Sequence, residues 1–359
     1  MADNRIFARS PFIVRINETG QVETKVNLFI WNGTGSAPAS PTYTLSKLIP
    51  SATDIETLYN ISPYLKEYIE HQSFGNNYNS INTSLGSYEW CNVKVDRYKK
   101  ITSSFVLIDS TTYKVFDGFG YYTEGTNPDL GNILLDEATY QFEYDSAAVL
   151  STDTLKRAGS VTWNATAGQK VKYIELNTGS IVNGTIPSSG VITSYRVYTN
   201  YYDNGNVMQI LDASNNVLWE ATFRPIVECR YTPVVIDFIN KYGGWQREFF
   251  FKASKNTVSK TNTTYNLMQD NLHNYDVLEG QRKVFNSVML ETIQVNSDWR
   301  DDSYSEVIRQ LMMSERILLN NSPVKLTTNS MEMFKQINTK MINYQLDFEY
   351  AYDINNTVL

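Results

Sequence analysis

Short runs in which apolar and polar residues trade places at every second position recur along this chain, and they predict strands far more often than helices. Phe12–Ile16 leads through an Asn17–Gly20 turn into Lys25–Trp31, and a Gly-, Ser-, Ala- and Pro-rich loop (Asn32–Pro41) precedes Thr42–Leu45. Tyr88–Tyr98 alternates cleanly, and Ser104–Asp109 with Thr112–Phe116 reads as a hairpin. One stretch breaks the pattern. Tyr64, Leu65, Tyr68 and Ile69 recur at helical spacing and Pro63 suits a first helical turn, so a short helix is predicted over Ile61–Ile69. Phe74–Ser87 and Gly118–Gly131 carry turn residues instead and read as loops.

A second run of strands covers Tyr140–Tyr144, Gly159–Trp163, Lys172–Leu176 and Val217–Phe223. Within it, Ile192–Tyr202, the turn Asp203-Asn204-Gly205-Asn206 and Val207–Leu211 read as a hairpin. Further on, Val234–Asn240, the turn Tyr242-Gly243-Gly244-Trp245 and Gln246–Phe251 predict strand–turn–strand. Ser303–Ser314 is the best helix: Ser303 and Glu306 form a capping-box pattern, with Val307, Ile308, Leu311 and Met312 as an apolar stripe. Arg316–Leu319 and Val324–Thr328 flank a turn at Asn320–Pro323, and Ile342–Tyr350 is a long closing strand. The expected fold is mainly β. It comprises two antiparallel β-sandwich-like domains (residues 1–130 and 131–230) and a strand-rich C-terminal α+β segment (231–359), with one or two short helices, one near 303–314.

Composition narrows the function classes. The 359 residues are 42% hydrophobic and 13% aromatic, ample for packed cores. Only 19% are charged, below the ~25% of ordinary soluble domains, and Asn, Ser, Thr and Tyr take their place. Such a surface suits extensive protein–protein or carbohydrate contact better than long-range steering. The net charge of −7 argues against specific nucleic-acid binding through phosphate neutralisation. Met1–Arg9 has no apolar core, so no secretory signal is expected; no window predicts a membrane span, and no membrane partner is expected. The Asn-x-Ser/Thr triplets at Asn60, Asn164, Asn183 and Asn262 read as chance matches in an Asn-rich chain.

Equipment for chemistry is sparse. Asp117, Glu124 and Asp129 cluster in a Gly-rich loop and are the candidate acid–base carboxylates of a polysaccharide-cleaving enzyme, though solvated turn residues fit the same pattern. Asp301 and Asp302 are expected to offset the positive amino end of the helix. His71 and His273 lie far apart without Cys nearby and are expected at the surface or in loops; Cys91 and Cys229 are expected to be buried free thiols. Asp203–Asn206 imitates only the start of a calcium loop, and Gly118-Phe119-Gly120 is too short for a phosphate cradle. Tyr121 with Tyr122, or Tyr198 with Tyr201 and Tyr202, could stack sugars or anchor an interface, but tyrosine also fills half-buried strand positions. No catalytic, cofactor-binding or metal-binding set is expected, and no cofactor.

The Tyr242-Gly243-Gly244-Trp245 turn running into Phe249-Phe250-Phe251, Trp299 ahead of the helix, Ser314–Leu319 leading to Pro323-Val324, and the final Asn343–Ala351 strand carry a resemblance, as does Ser10–Val14. Over about a third of the chain the sequence resembles neck or tail structural proteins of tailed bacteriophages infecting Bacteroidetes, including the crAss-like and flavobacterial groups. The resemblance implies scaffolding rather than an active site. The expectation is a non-enzymatic virion protein, made in the host bacterial cytoplasm, that forms a ring, collar or adaptor of the neck or tail. Its partners would be further copies of itself in a cyclic homo-oligomer and neighbouring portal, tail or neck subunits. The loops Phe74–Ser87 and Gly179–Gly190 would adapt to neighbours. A receptor- or carbohydrate-binding fibre or baseplate module is the alternative, and a polysaccharide depolymerase comes third.

Overall fold

The computed structural model describes residues 4–49, 51, 53, 55–71, 82–128, 140–149, 160–184, 192–196, 204–268, 273, 276–331 and 341–355. The expected mainly β class is what folds: 53% strand and 8% helix, with several antiparallel sheets. The chain gathers into two compact units, and neither is continuous. The first holds 1–227, 237–248 and 313–315; the second holds 228–236, 249–312 and 316–359.

In the first unit, a five-stranded sheet has the order β1 (Arg5–Phe7), β8 (Phe105–Phe116), β7 (Trp90–Lys100), β3 (Glu23–Asn32), β4 (Tyr43–Leu48). Alternate residues Val26, Leu28 and Ile30 of β3 and Cys91, Val93 and Val95 of β7 turn to one face. Over that face lie Val14 and Ile16 of β2 (Ile13–Ile16), Tyr59 of β5 (Thr57–Asn60), and Leu65 of helix α1 (Ser62–Lys66), forming one buried cluster. The helix falls inside the predicted stretch, and Pro63 sits in its first turn.

The predicted hairpin over 104–116 is instead the single strand β8. Ser110 and Thr111 looked like turn residues, yet Ser110 stands opposite Asp96 of β7 and donates to its Oδ1 at 2.6 Å. Polar residues are tolerated mid-strand when they satisfy one another across the ladder. Part of the predicted 74–87 loop is also strand: β6 (Asn82–Ser84) pairs with β13 (Ile192–Arg196), while 74–81 lies outside the described residues.

This unit also contains the two-stranded antiparallel sheet of β2 with β5 and two larger sheets. One has the order β10 (Ser160–Asn164), β13, β6; the other β12 (Ile181–Gly184), β11 (Lys170–Glu175), β14 (Asn206–Leu211), β15 (Val217–Ile226), β9 (Tyr140–Asp145). The predicted hairpin over 192–211 is therefore overturned, since β13 and β14 lie in different sheets. Asn204-Gly205 resembles a hairpin turn locally, but Gly205 has a structural reason of its own. It sits at φ +80°, and a Cβ there would lie 2.5 Å from the Phe223 carbonyl oxygen. Tyr198, Tyr201, Tyr202, Asp203, Asp129 and the boundary near 130 lie outside the described residues.

In the second unit, β20 (Ile317–Leu319), β21 (Ser322–Leu326), β22 (Met341–Tyr350), β19 (Arg282–Asp301) and β18 (Lys255–Asn266) are successive neighbours. The stems of a hairpin formed by β16 (Val234–Ile239) and β17 (Trp245–Phe250) lie at the β20 end of this sheet. Asn320 and Asn321, at φ +48° and +66°, make the two-residue turn between β20 and β21. Asn accepts that left-handed pair more readily than most residues, and Pro323 is the second residue of β21 rather than part of the turn.

Helix α2 (Ser305–Met312) buries Val307, Ile308 and Leu311, as its stripe predicted. Its cap differs from the expected box. A 3-10 turn (Asp302–Tyr304) precedes it, so the capping side chain is Asp301, whose Oδ1 accepts the Ser303 N–H at 3.2 Å.

Candidate functional site

The densest gathering of polar side chains belongs to the first unit and is built around residues 237–248. The flanking apolar runs and the Gly243-Gly244 pair dictate a tight hairpin, and every residue in it is buried. Buried polar groups need partners, and these have them. Arg247 clamps Asp237 through Nε–Oδ1 and Nη2–Oδ2 contacts of 2.7 and 2.8 Å, with both side chains fully buried. Asn240 Oδ1 accepts the backbone N–H groups of Tyr242 and Gly244 at 3.0 and 3.1 Å, closing the turn. Gly243 is at φ +86°, and a Cβ there would lie 2.8 Å from the Asp117 nitrogen. Only glycine allows that approach.

Around the turn lie two candidate side chains, Asp117 and His71, and one that sequence reading missed, Glu89. Asp117 is buried and shares a 3.0 Å hydrogen bond with His71 Nε2. His71, expected near the surface, is buried instead, its ring edge-on to Trp245 at 6.0 Å. Trp245 Nε1 in turn donates to Glu89 Oε1 at 3.0 Å, and Glu89 Oε2 accepts the Gly86 N–H at 2.9 Å. Nothing in the sequence spacing of residues 71, 89, 117 and 245 signals this cluster; its bonds join residues 46 and 156 positions apart.

Glu124 goes elsewhere. It caps its own 3-10 turn by accepting the Tyr121 N–H at 2.8 Å, and it pairs with Lys241. Asp117 and Glu124 thus bond to different partners, His71 for the one and Lys241 with the Tyr121 N–H for the other. Gly118 and Phe119 serve the same join. A Cβ at Gly118 would lie 2.2 Å from Phe7 Cδ1, and the Phe119 N–H donates to the Lys241 carbonyl at 2.7 Å. The Tyr121 ring lies under the Lys241 ammonium at 4.3 Å, whereas Tyr122 is fully exposed.

Among the described residues, two clefts on the first unit bear on the candidate chemistry. One, of about 460 Å³, is lined by Arg9, Ser10, Asn60, Lys66, Phe119 and Glu315 among others. Its cations are already engaged: Glu315 takes Lys66 at 2.7 Å and Arg9 at 3.4 Å. The second, about 210 Å³, contains Arg97 and Asp109. Arg97 Nε donates to Asp109 Oδ1 at 2.7 Å, and this hydrogen bond holds the Asp109 carboxyl below the usual carboxylate range.

A depressed carboxylate stabilises the fold fully above its unfolded value of ~3.9 and loses that contribution as pH falls through the folded one. Both side chains are a third or more exposed, which caps the effect. Asp109→Asn is expected to lower the unfolding free energy at pH 7 by at most about 1 kcal/mol. The gap from wild type should narrow in urea titrations as the pH falls below the ordinary carboxylate range, and a gap that stayed constant as the pH fell would contradict this account.

Cys91 is buried as expected, and burial pushes its thiol up to about 12. Cys229, also expected inside, is exposed because it follows the end of β15 in an irregular stretch. His273 is exposed. Among the described residues, no group of three or more His, Cys, Asp or Glu is placed to hold a metal ion, and no helix is long and apolar enough to cross a membrane.

The second unit offers a surface rather than a pocket. All twelve residues of β18 are exposed, and β18 runs antiparallel to β19 from Lys255↔Gln294 to Asn266↔Arg282. Past the Asn266–Arg282 end of this ribbon Met268, Val277 and Leu278 expose apolar side chains, as does Phe285 near that end of β19, between 77% and 91% of their surface. Sequence reading left residues 255–301 unassigned. With both faces of β18 in solvent there is no period-two signal, and only its Thr, Val and Tyr content points to strand. The fold defines a mainly β protein of antiparallel sheets. No family model matches the sequence, and no curated protein does.

Proposed function

We propose that this protein is a non-enzymatic structural component of a tailed bacteriophage virion, assembling with further copies of itself as a ring, collar or adaptor of the neck or tail. Portal, tail or neck subunits would be its neighbours. One observation carries the reading. A twelve-residue edge strand, exposed on every residue, continues toward four exposed apolar side chains. An isolated soluble protein normally blunts or covers such an edge, because its unpaired N–H and C=O groups recruit other strands. Exposed apolar groups close together in the chain mark a surface awaiting a partner. The sequence resemblance to neck and tail proteins supports the same reading. So do Asp117 and Glu124, the one hydrogen-bonded to His71 and the other paired with Lys241.

Negative-stain electron microscopy of the purified full chain, together with light scattering, tests this. Closed rings of defined mass are the expected result. A monomer at every concentration, with no chain detectable in purified particles, would remove the reading.

A further inference from the structure

We infer that the outer edge of β4 binds the same edge of a second copy of this chain about a two-fold axis. Leu45 then stands opposite its counterpart, and Lys47 opposite Tyr43 and beside Glu67 of the other copy. This contact uses the first unit alone and does not rest on β18. β4 ends its sheet, with β3 as its one neighbouring strand among the described residues. The Ile49 N–H donates to the Val22 carbonyl, in register with the β3–β4 ladder. By alternation Tyr43, Leu45 and Lys47 direct their backbone groups toward β3, and Thr44, Ser46 and Leu48 direct theirs outward. Those last three residues are all exposed. An edge left in this state recruits another strand.

The side chains are complementary to their own copy. Tyr43 and Leu45 pack on the rim of the core cluster, and Lys47 follows on the same face of the sheet. Run antiparallel to itself, this row sets leucine on leucine at the axis and lysine on tyrosine at both ends. Each end also joins opposite charges. The Tyr43 hydroxyl donates at 2.9 Å to Glu67 Oε2, at the end of α1, and no cation pairs with that carboxylate among the described residues. Lys47 likewise has no carboxylate among them; its ammonium meets the Leu58 carbonyl and lies 5.1 Å from the Tyr59 ring centre. A two-fold pairing gives each charge the partner it lacks, twice per dimer.

Neighbouring registers are worse. With Lys47 on the axis the two ammonium groups face each other, and with Ser46 there they are diagonal neighbours. With Thr44 on the axis each lysine meets Pro41 instead. Leu45 on the axis lets Thr44 of each copy exchange backbone hydrogen bonds with Ser46 of the other, joining the two sheets into one. Leu45 and Lys47 then occupy the non-hydrogen-bonded positions, where opposing Cα atoms approach to about 4.5 Å and side chains are closest. The ion pairs set the register, while the backbone ladder and leucine contact supply the affinity.

Cross-linking in the full chain tests the register. Cys229→Ser first removes the exposed native thiol. In that background Leu45→Cys is expected to give a covalent dimer under mild oxidation, because its sulfurs meet across the axis. Leu48→Cys, whose thiols would stand about 20 Å apart, should cross-link at least tenfold more slowly. Charge exchange gives a second readout that leaves Leu45 untouched. Lys47→Glu and Glu67→Lys are each expected to raise the dimer dissociation constant about tenfold in native mass spectrometry, and the double variant to recover most of the loss. Both side chains are exposed, and circular dichroism checks that each variant is folded. Assembly without faster cross-linking at position 45, or with a dissociation constant that the reversals leave unmoved, overturns this contact and leaves the assembly reading standing. A wild type that stays monomeric overturns both.

Discussion

Asp237→Ala is expected to lower the unfolding free energy by roughly 3–5 kcal/mol, the cost of leaving a buried charge without its counter-ion. The Arg247 guanidinium stays protonated at any accessible pH, so it cannot escape by neutralising. Its side chain and that of Asp237 have no solvent exposure, and the two contacts between them are both shorter than 3 Å. Replacing both partners by apolar residues of similar volume, as in Asp237→Leu with Arg247→Met, should return most of the loss, because two desolvation costs vanish together. Chemical denaturation of the three proteins checks this. If the single variant unfolded within 1 kcal/mol of wild type, the pair would not be the buried tie described.

Trp245→Ala should be comparably damaging, about 3–5 kcal/mol, because a large ring that is only 3% exposed leaves a cavity that the surrounding backbone cannot fill. Trp245→Phe separates packing from hydrogen bonding. It keeps an aromatic ring against His71 but removes the indole N–H from Glu89, for which about 1.5–3 kcal/mol is expected. Thermal unfolding of both variants would show the order. A Phe variant as stable as wild type would mean that the indole–carboxylate bond contributes nothing of its own.

These two sites show where reading the sequence succeeded and where it stopped. The β16–β17 hairpin was legible, since two apolar runs flank a Gly-Gly turn that allows a tight reversal. That its charged residues would be core was not, because a ten-residue separation between Asp237 and Arg247 carries no sign of a cross-strand clamp. The α2 stripe was legible from its period. Its true cap was displaced because the entry turn is 3-10, which the residue pattern does not distinguish. Misreadings came from local chemistry that tertiary pairing overrode. Asn204-Gly205 resembles a hairpin turn although β13 and β14 pair elsewhere, and Ser110-Thr111 resembles one although both sit inside β8. Of the candidate site residues, Asp117 and His71 were named separately; only the fold brought them together.

The interleaved make-up of the two units has a bearing on biosynthesis. A ribosome releases the amino terminus first, yet the first unit draws on 237–248 and on 313–315. Glu89 thus waits for its tryptophan until about two-thirds of these 359 residues have been translated, and Arg9 and Lys66 wait for Glu315 until nearly nine-tenths have. Nascent chains that wait so long with an incomplete interior expose apolar surface to one another. Expression trimmed at residue 227 would freeze that unfinished stage, so the whole reading frame is the sensible unit for recombinant production.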